Sequence, residues 1–384
     1  MLRALATRKE TTRQQIMSDT GLSKATVARI VRELLSEGRV VEGRAIVGPS
    51  GGRATKTLQF RGVTDLVCGI DMGGTNSRFL LVSQRGRLVS SWRRENPPSY
   101  SARALADWVA DQVIDACHDS ERPEPSVTVI GVPGVVGSTT GHIRNSPNLA
   151  AVEGRTFTER LSWRMPGRLV VENDSNVALV GELRAGAAAG ARNAVMLTIG
   201  TGVGAGVAVD GRLLSGPHGG VGEFGIVPID LDGTTLEEVI SGPAIVAAAK
   251  ARGLADTRPE AVLQESHDLG QLELQRRLIA AMFSVAVAIS VAYEPSVIVI
   301  GGGVSPSLAS ALPDLQRRLD KALEPAPALV LSKLGDPAGA LGAIAIGLEM
   351  SHQMMGAANV ETEDTQLNLD IAAIAAELTA GSSP

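Results

Sequence analysis

The sequence predicts an α/β protein in which a small winged helix-turn-helix module precedes a body built from two strand-led halves. Three observations carry this. The charge is divided unevenly along the chain, the first sixty residues hold a helix, turn, helix and hairpin pattern, and one strand-turn-strand unit occurs twice in the remainder.

The net charge of −5 conceals the division. Residues 1–60 hold eleven basic against five acidic side chains, a balance of +6, and the other twenty-five against thirty-six, a balance of −11. Such asymmetry suits a nucleic-acid-facing module joined to a body that does not itself approach phosphates. In "TTRQQIMSDTGLSKATVARIVRELLSEG" a helix ending near Asp19 meets a turn at Gly21, and a second helix runs from Ser23 to about Glu37, with Ser23 as its cap. Val27, Ile30, Val31 and Leu34 recur at helical spacing and face inward, so Ser23, Lys24, Thr26 and Arg29 remain to contact DNA. The following "RVVEGRAIVGPSGGRATKTLQF" alternates apolar and polar residues about a Gly-Gly-Arg tip, as a β-hairpin wing does, with Arg53 placed to enter a minor groove.

The body opens with "LVCGIDMGGTNSRFLLVSQRGRLV" and repeats the order strand, Gly-Thr turn, strand and hairpin in "VMLTIGTGVGAGVAVDGRLL". Thr75 precedes Gly86 by 11 positions and Thr201 precedes Gly211 by 10. Paired turns of this kind, Gly73, Gly74 and Thr75 with Gly200, Thr201 and Gly202, let backbone N–H groups approach phosphate oxygens, and Asp71 can organise a magnesium ion. In "EPSVIVIGGGVSP" a buried parallel strand at Val297–Ile300 leads to Gly301 and Gly302, which suit a base or ribose lying on backbone and equally suit a structural turn. A strand at Leu169–Val171 ends in Glu172-Asn173-Asp174 ahead of a helical stretch. Asn173 and Asp174 can hold a polyol, with Asp174 as the base toward a hydroxyl attacking a γ-phosphoryl group, or they can cap that helix.

Composition narrows the class. With 44% hydrophobic and 20% charged side chains over 384 residues, the chain can build two or three cores. Cys68 and Cys117 are too few for a disulfide framework or a thiolate zinc site, which fits a reducing cytoplasm. The start, "MLRALATRKE", has no apolar run and does not read as a secretory signal. Leu278–Tyr293 is uncharged over 16 residues, short of the roughly 20 needed to span a bilayer, and reads as a buried helix with no membrane role. The tail from about Gly356 is acidic and Ala-rich, with a short helix expected at Leu369–Leu378 and mobility elsewhere.

The order of winged helix, "DMGGT", "VPG" with "SPNL", "END", "IGTGVGAG", "HGGVGEFG", "SGPAI", "VIVIGGGV" and "GDPAGALGAIAIG" resembles the ROK family of sugar-responsive repressors and sugar kinases, over residues 1 to about 350. The resemblance implies an actin-like, ribonuclease-H-like two-lobed sugar kinase fold with a cleft between lobes. It divides the chain into a winged helix-turn-helix (1–62), a first lobe (63–183), a second lobe (184–354) and the tail (355–384). It places Asn173, Asp174, Glu223 and Glu237 at sugar-contacting positions, with Asn148 of the "SPNL" segment joining them and Asp174 at the base position of the kinases. His218 is either a further ligand contact or a turn residue. The sequence departs from the family at Ile226, which stands where a His is usual, and "IDLDGTTLEE" lacks the cysteines that bind structural zinc with that His. Zinc is therefore not expected, and ligand specificity should have moved, because loss of a buried donor costs about 1–3 kcal/mol. A Lys commonly follows the GGT turn in the family's kinases, where this chain has Asn76. The reading that follows is a DNA-binding regulator of the repressor type, a homodimer or tetramer partnered by operator DNA and a small carbohydrate effector. No cofactor is required, although ATP and Mg remain possible. The alternative is an ATP-dependent sugar kinase using Asp174.

Overall fold

The computed structural model describes residues 11–36, 40–46, 55–60, 66–120, 122–137, 140–355 and 360–380. At the N-terminus, Thr12 caps helix α1 (Arg13–Thr20) by accepting from the Gln15 amide at 3.2 Å, and Gly21 ends it at φ 67°, a left-handed conformation that glycine adopts without a Cβ clash. Ser23 accepts from the Thr26 amide at 3.2 Å and starts α2 (Lys24–Ser36). Strands β1 (Val40–Ile46) and β2 (Thr55–Phe60) pair antiparallel. Ile16, Val27, Val31, Leu34, Val40 and Leu58 form the core of this unit; Ile30 packs on it half-buried. Glu42 on β1 accepts from Arg13 at 2.8 Å and Lys56 at 2.6 Å, and the two cations hold its carboxyl below the usual carboxylate range. The hairpin tip, with Arg53, lies outside the described residues.

The body contains two five-stranded sheets of the same design. The first runs β5–β4–β3–β6–β7, from β3 (Leu66–Met72), β4 (Asn76–Ser83), β5 (Leu88–Glu95), β6 (Val127–Val132) and β7 (Arg168–Asn173). In the second, β8 (Ala194–Ile199), β9 (Val203–Val209), β10 (Arg212–Leu213), β11 (Val297–Gly301) and β12 (Ala328–Leu331) stand in the order β10–β9–β8–β11–β12. Each sheet pairs its first three strands antiparallel and adds two parallel ones, so the repeat seen in the sequence extends to sheet topology. Gly86 and Gly211 occupy matching hairpin turns at φ 69° and 75°.

Alternation along the strands assigns the layers. Leu66, Cys68, Ile70 and Met72 of β3 face α3 (Ala102–Asp119) and α4 (Thr156–Arg164), and Val67 faces the opposite side. In β8, Val195, Leu197 and Ile199 meet α6 (Gly242–Ala251), α7 (Leu269–Tyr293) and α8 (Leu312–Ala322), whereas Ala194 and Met196 meet α5 (Asp174–Ala185). Helix α7 is long and apolar enough to cross a membrane, yet Leu274, Leu278, Met282, Val285 and Ile289 are buried in the second core, the packing expected of a core helix.

The helices between the sheets exchange places. Helix α5 leaves the first sheet and packs on β8 and β9 of the second; α9 (Ala338–Met355) leaves the second and packs on β3 and β6 of the first. Helix α9 thus packs on the first sheet although it lies in the stretch of sequence assigned to the second lobe. The tail also departs from expectation. It forms α10 (Val360–Ala380), twice the length of the short helix predicted, and sets Leu367, Ile371, Ile374 and Leu378 against Val67, Leu80 and Val82. Burial of four apolar side chains at i, i+4, i+7 and i+11 docks a segment whose acidic composition suggested mobility.

Candidate ligand cleft between the two sheets

A cleft of about 960 Å³ opens at the carboxyl ends of the parallel strands, the place where α/β sheets bind ligands. The end of β3 supplies Asp71, followed by Gly73 and Gly74. Asn96 fastens this turn, its amide nitrogen donating to the Gly73 carbonyl at 2.7 Å and its backbone N–H to Thr75 at 2.8 Å. The corresponding turn after β8 supplies Gly200, Thr201 and Gly202 and is held by the Gly242 N–H on the Gly200 carbonyl at 2.8 Å. A Cβ on Gly74 would lie 3.0 Å from the Asn148 carbonyl, so the first turn abuts the segment carrying Asn148.

At the other end, Asn148, Glu153, Asn173, Asp174, Glu223, Ile226 and Glu237 line the wall. Asn173 caps the helix that follows it. Its Oδ1 accepts from the Ser175 and Asn176 amides at 2.9 and 3.1 Å, and its Nδ2 donates to the Gly134 carbonyl at 3.0 Å. Asp174 accepts from the Ser175 amide at 2.7 Å through Oδ1. Ser175 is linked in turn to Thr198 at 2.5 Å, so the head of α5 is pinned to β8. Glu237 accepts from the Val203 N–H at 2.8 Å.

Electrostatics in the cleft is one-sided. Burial pushes Asp71 up to about 7, helped by the charges of Asp174 and Asp336 and opposed by Arg78. Burial raises Asp174 to about 6, against the hydrogen bonds from Ser175. Glu223 is raised by burial and then by Asp174 and Glu237, with Arg144 acting the other way. A carboxylate near 6 is mostly ionised at neutral pH and still basic enough to take a hydroxyl proton. Arg78 and Arg93 flank Asp336.

Several residues fall elsewhere than the sequence suggested. His218 is exposed and outside the cleft lining, its carbonyl accepting from Arg144 at 2.8 Å. Thr75 is exposed at the turn and does not line the cleft. Gly301 is buried as the last residue of β11, where a Cβ would meet Met196 at 2.3 Å; Gly302 and Gly303 reach the cleft instead. Glu153, Asp336 and Asn96 were missed. Asp336 sits in the quoted "GDPAG" run, but nothing in the spacing of Glu153 or Asn96 marks them. Among the described residues no group of three or more His, Cys, Asp or Glu side chains is arranged to hold a metal ion, and Cys68 and Cys117 lie buried in the first core.

The ROK family profile matches residues 67–349, most of the chain. The chain belongs to the ROK family. Among its ROK relatives, glucokinase of Halalkalibacterium halodurans is 26% identical over 71% of this chain and 92% of its own. The xylose repressor of Caldicellulosiruptor bescii is 27% identical over 60% of this chain and 58% of its own. Among solved structures, ROK hexokinase of Thermus thermophilus superposes with a TM-score of 0.64 at 26% identity, over 76% of this chain and 99% of that one. A ROK transcriptional regulator described as a homologue of the E. coli MLC protein superposes with the same TM-score at 20% identity, over 94% of each chain. The mixed α/β body with its two sheets is thus the ROK, actin-like sugar kinase fold. The relatives include both kinases and regulators.

Proposed function

We propose that this ROK protein is a sugar-responsive DNA-binding transcriptional regulator, a cytoplasmic repressor acting as a homodimer or tetramer, in which occupancy of the interlobe cleft alters operator affinity. The division into head (1–62), two lobes (63–183 and 184–354) and tail (355–384) belongs to the same proposal, with α9 assigned by packing to the first core. The carrying observation is the head: two helices joined through a left-handed Gly21, a hairpin beside them, and Ser23, Lys24 and Arg29 exposed on the first half of α2, with Thr26 half-buried. In a winged helix-turn-helix those positions meet base edges and phosphates. Arg29 pairs with Glu33 at 2.7 Å, both exposed, and a bond of that kind is weak enough to be exchanged for a phosphate. The extent of the likenesses agrees, since the fold of the ROK transcriptional regulator runs through nearly the whole chain and the hexokinase, itself covered almost completely, leaves a quarter of this chain unmatched.

In this reading two heads in a dimer address half-sites roughly 34–36 Å apart. The ligand controls them only if it binds the two head arrangements with different affinity. Asn148, Asn173, Asp174, Glu223 and Glu237 would hold the ligand. Lys24→Ala with Arg29→Ala is expected to weaken binding to a selected operator at least roughly tenfold and to lower the salt dependence of binding by about one ion per lost phosphate contact. Thermal unfolding of the body should be unchanged. Fluorescence anisotropy over a salt series measures the first effect, and equal affinity of parent and double variant counts against the reading.

The second reading, an ATP-dependent sugar kinase, is favoured by Asp174 at the head of α5 and by the paired glycine turns. There Asp71, Gly73, Gly74, Thr201 and Gly202 would hold Mg-ATP, and Asp174 would take the proton of the attacking hydroxyl. The Streptomyces griseus ROK glucokinase, 27% identical over 74% of this chain and 99% of its own with a TM-score of 0.61, is known in complex with glucose and AMPPNP. Steady ATP turnover with any sugar of a panel, abolished in Asp174→Asn, would establish the kinase instead.

A further inference from the structure

Each five-stranded sheet of the body ends in two edges, and three of the four carry features that discourage further pairing. Strand β5 has the adjacent exposed arginines Arg93 and Arg94, and its register with β4 breaks between Leu81 and Val82. Strand β10 is two residues long; β12 is four and follows Pro325 and Pro327. Strand β7 has none of these protections. It runs Arg168–Asn173 without a proline, its register along β6 is unbroken, and no strand pairs with its outer side among the described residues.

The backbone groups on that outer side can be assigned. The Arg168 N–H donates to the Ser126 carbonyl at 2.9 Å, on the β6 side. Alternation along the strand then turns the backbone groups of Val170 and Glu172 toward β6 and those of Leu169 and Val171 outward. The next outward N–H, that of Asn173, is closed by the Glu172 carboxylate at 2.8 Å. Side chains alternate as well. Val170 packs with Ile346, Met350 and Met354 of α9 on one face, while Leu169 and Val171 pack on the first core at the other. All six are half-buried, and the three from α9, four positions apart, form an apolar stripe beside Val170.

This edge is complementary to itself. When two copies are set antiparallel about a two-fold axis at Val170, Leu169 faces the partner's Val171 and exchanges both backbone bonds with it, and the same pair recurs across the axis. Arg168, exposed at the start of the strand, then stands opposite the partner's Glu172 on the same face, an opposite-charge pair that is also made twice. No other antiparallel register forms both charge pairs. Stable interfaces bury at least roughly 1,200 Å² in total, more than a short edge supplies. The axis is perpendicular to the sheet, so both α9 stripes lie over one face, and their flexible methionines extend the surface beside the seam.

We infer that the outer edge of β7 is a self-association surface, at which a second copy of this chain adds its own β7 antiparallel and joins the two first sheets into one. The inference gives the oligomer of the reading above a surface, and it requires neither DNA nor a ligand.

A cysteine at the axis tests the register. Val170 faces its own copy in a non-hydrogen-bonded pair, where Cα atoms stand about 4.5 Å apart and a disulfide fits. The native Cys68 and Cys117 are buried and do not compete. In the full chain under mild oxidation at micromolar concentration, Val170→Cys should link two copies at least roughly tenfold faster than Arg168→Cys, because the pairing holds only the former against itself. Arg168 is the more exposed of the two, so exposure alone gives the opposite order. Sedimentation velocity over a dilution series should show reversible association of the parent chain, weakened roughly tenfold by Arg168→Glu, which sets like charges opposite each other. If Arg168→Glu does not fold, the linking rates still decide. A parent chain that remains monomeric at tens of micromolar, association unaffected by a folded Arg168→Glu, or Val170→Cys linking no faster than Arg168→Cys overturns the inference. Such a failure beside sugar-controlled DNA binding leaves the regulator standing on another surface. Fast linking through Val170 in a chain that ignores DNA supports the inference and removes the regulator.

Discussion

Gly342→Val will lower the stability of the body by about 3–5 kcal/mol, to the point of insoluble expression at the upper end. Helices α5 and α9 cross between the two sheets with their backbones in contact. A Cβ on Gly342 would stand 1.7 Å from the Val177 carbonyl oxygen and 2.8 Å from the Gly181 nitrogen, and one on Gly181 would stand 2.3 Å from the Ala338 carbonyl. Neither obstacle is the flexible end of a side chain. A branched side chain must drive the helices apart, and α9 cannot retreat, because Gly69 of β3 already lies against Ala340 and Ile344 behind it. Because α5 packs on the second sheet and α9 on the first, separating them also spoils the alignment of the two walls of the cleft. Gly342→Ala should show the same effect at smaller size. Gly220→Ala, at a position with nothing within 4 Å, should change stability by no more than about 0.5 kcal/mol. Thermal unfolding followed by circular dichroism compares the three, and a Gly342→Val protein as stable as the Gly220→Ala control would contradict the account of the helix crossing.

Asp71→Asn should stabilise the ligand-free protein above neutral pH, by on the order of 3 kcal/mol, while weakening whatever the cleft binds through that carboxylate. In the folded chain burial raises the Asp71 carboxyl from 3.8 to about 7, and Asp174 rises from 3.8 to about 6. A carboxyl whose folded pKa stands above its unfolded value holds its proton more tightly in the native state. Below about pH 4 both states are protonated and nothing is lost; between about 4 and 7 unfolding releases protons, so stability falls as pH rises, and above about 7 the whole penalty is present. The substitution removes that slope at position 71. Urea unfolding in chelator between pH 4 and pH 8 should show parent and variant converging at the acid end and separating at the alkaline end. A variant less stable than the parent at the alkaline end, or a difference independent of pH, would show that the carboxyl is not destabilised in the fold. Stability given up at a cleft carboxylate is the usual signature of a binding group.

Much of the fold was legible because its signals are local. The turn at Gly21, the cap at Ser23 and the helical spacing of Val27, Val31 and Leu34 define the head from a short stretch, and two copies of a strand-glycine-strand unit announce two like sheets. What the sequence did not disclose is long-range. Nothing in Ala338–Met355 says that this helix crosses back to the first sheet, since its glycines are matched to Val177, Gly181 and Asp71, residues more than 150 positions away. The tail misled because an acidic, Ala-rich segment buries only one narrow stripe, which composition averages out. In the cleft, Asp71, Asp174, Glu223 and Glu237 were found through glycine turns and family motifs. Glu153 and Asn96 escaped because their roles depend on partners distant in sequence or on backbone groups, the Ser146 amide for Glu153 and the Gly73 carbonyl for Asn96.

The central claim is that a DNA-reading head is governed by a ligand held between the two lobes. The direct measurement is fluorescence anisotropy of the full chain titrated onto DNA selected by it from a random pool, with and without each sugar of the panel. The account predicts saturable, salt-dependent binding that at least one sugar weakens, with Glu223→Gln still binding the DNA but no longer answering that sugar. DNA binding that no sugar alters, or no binding even at low salt, would contradict it.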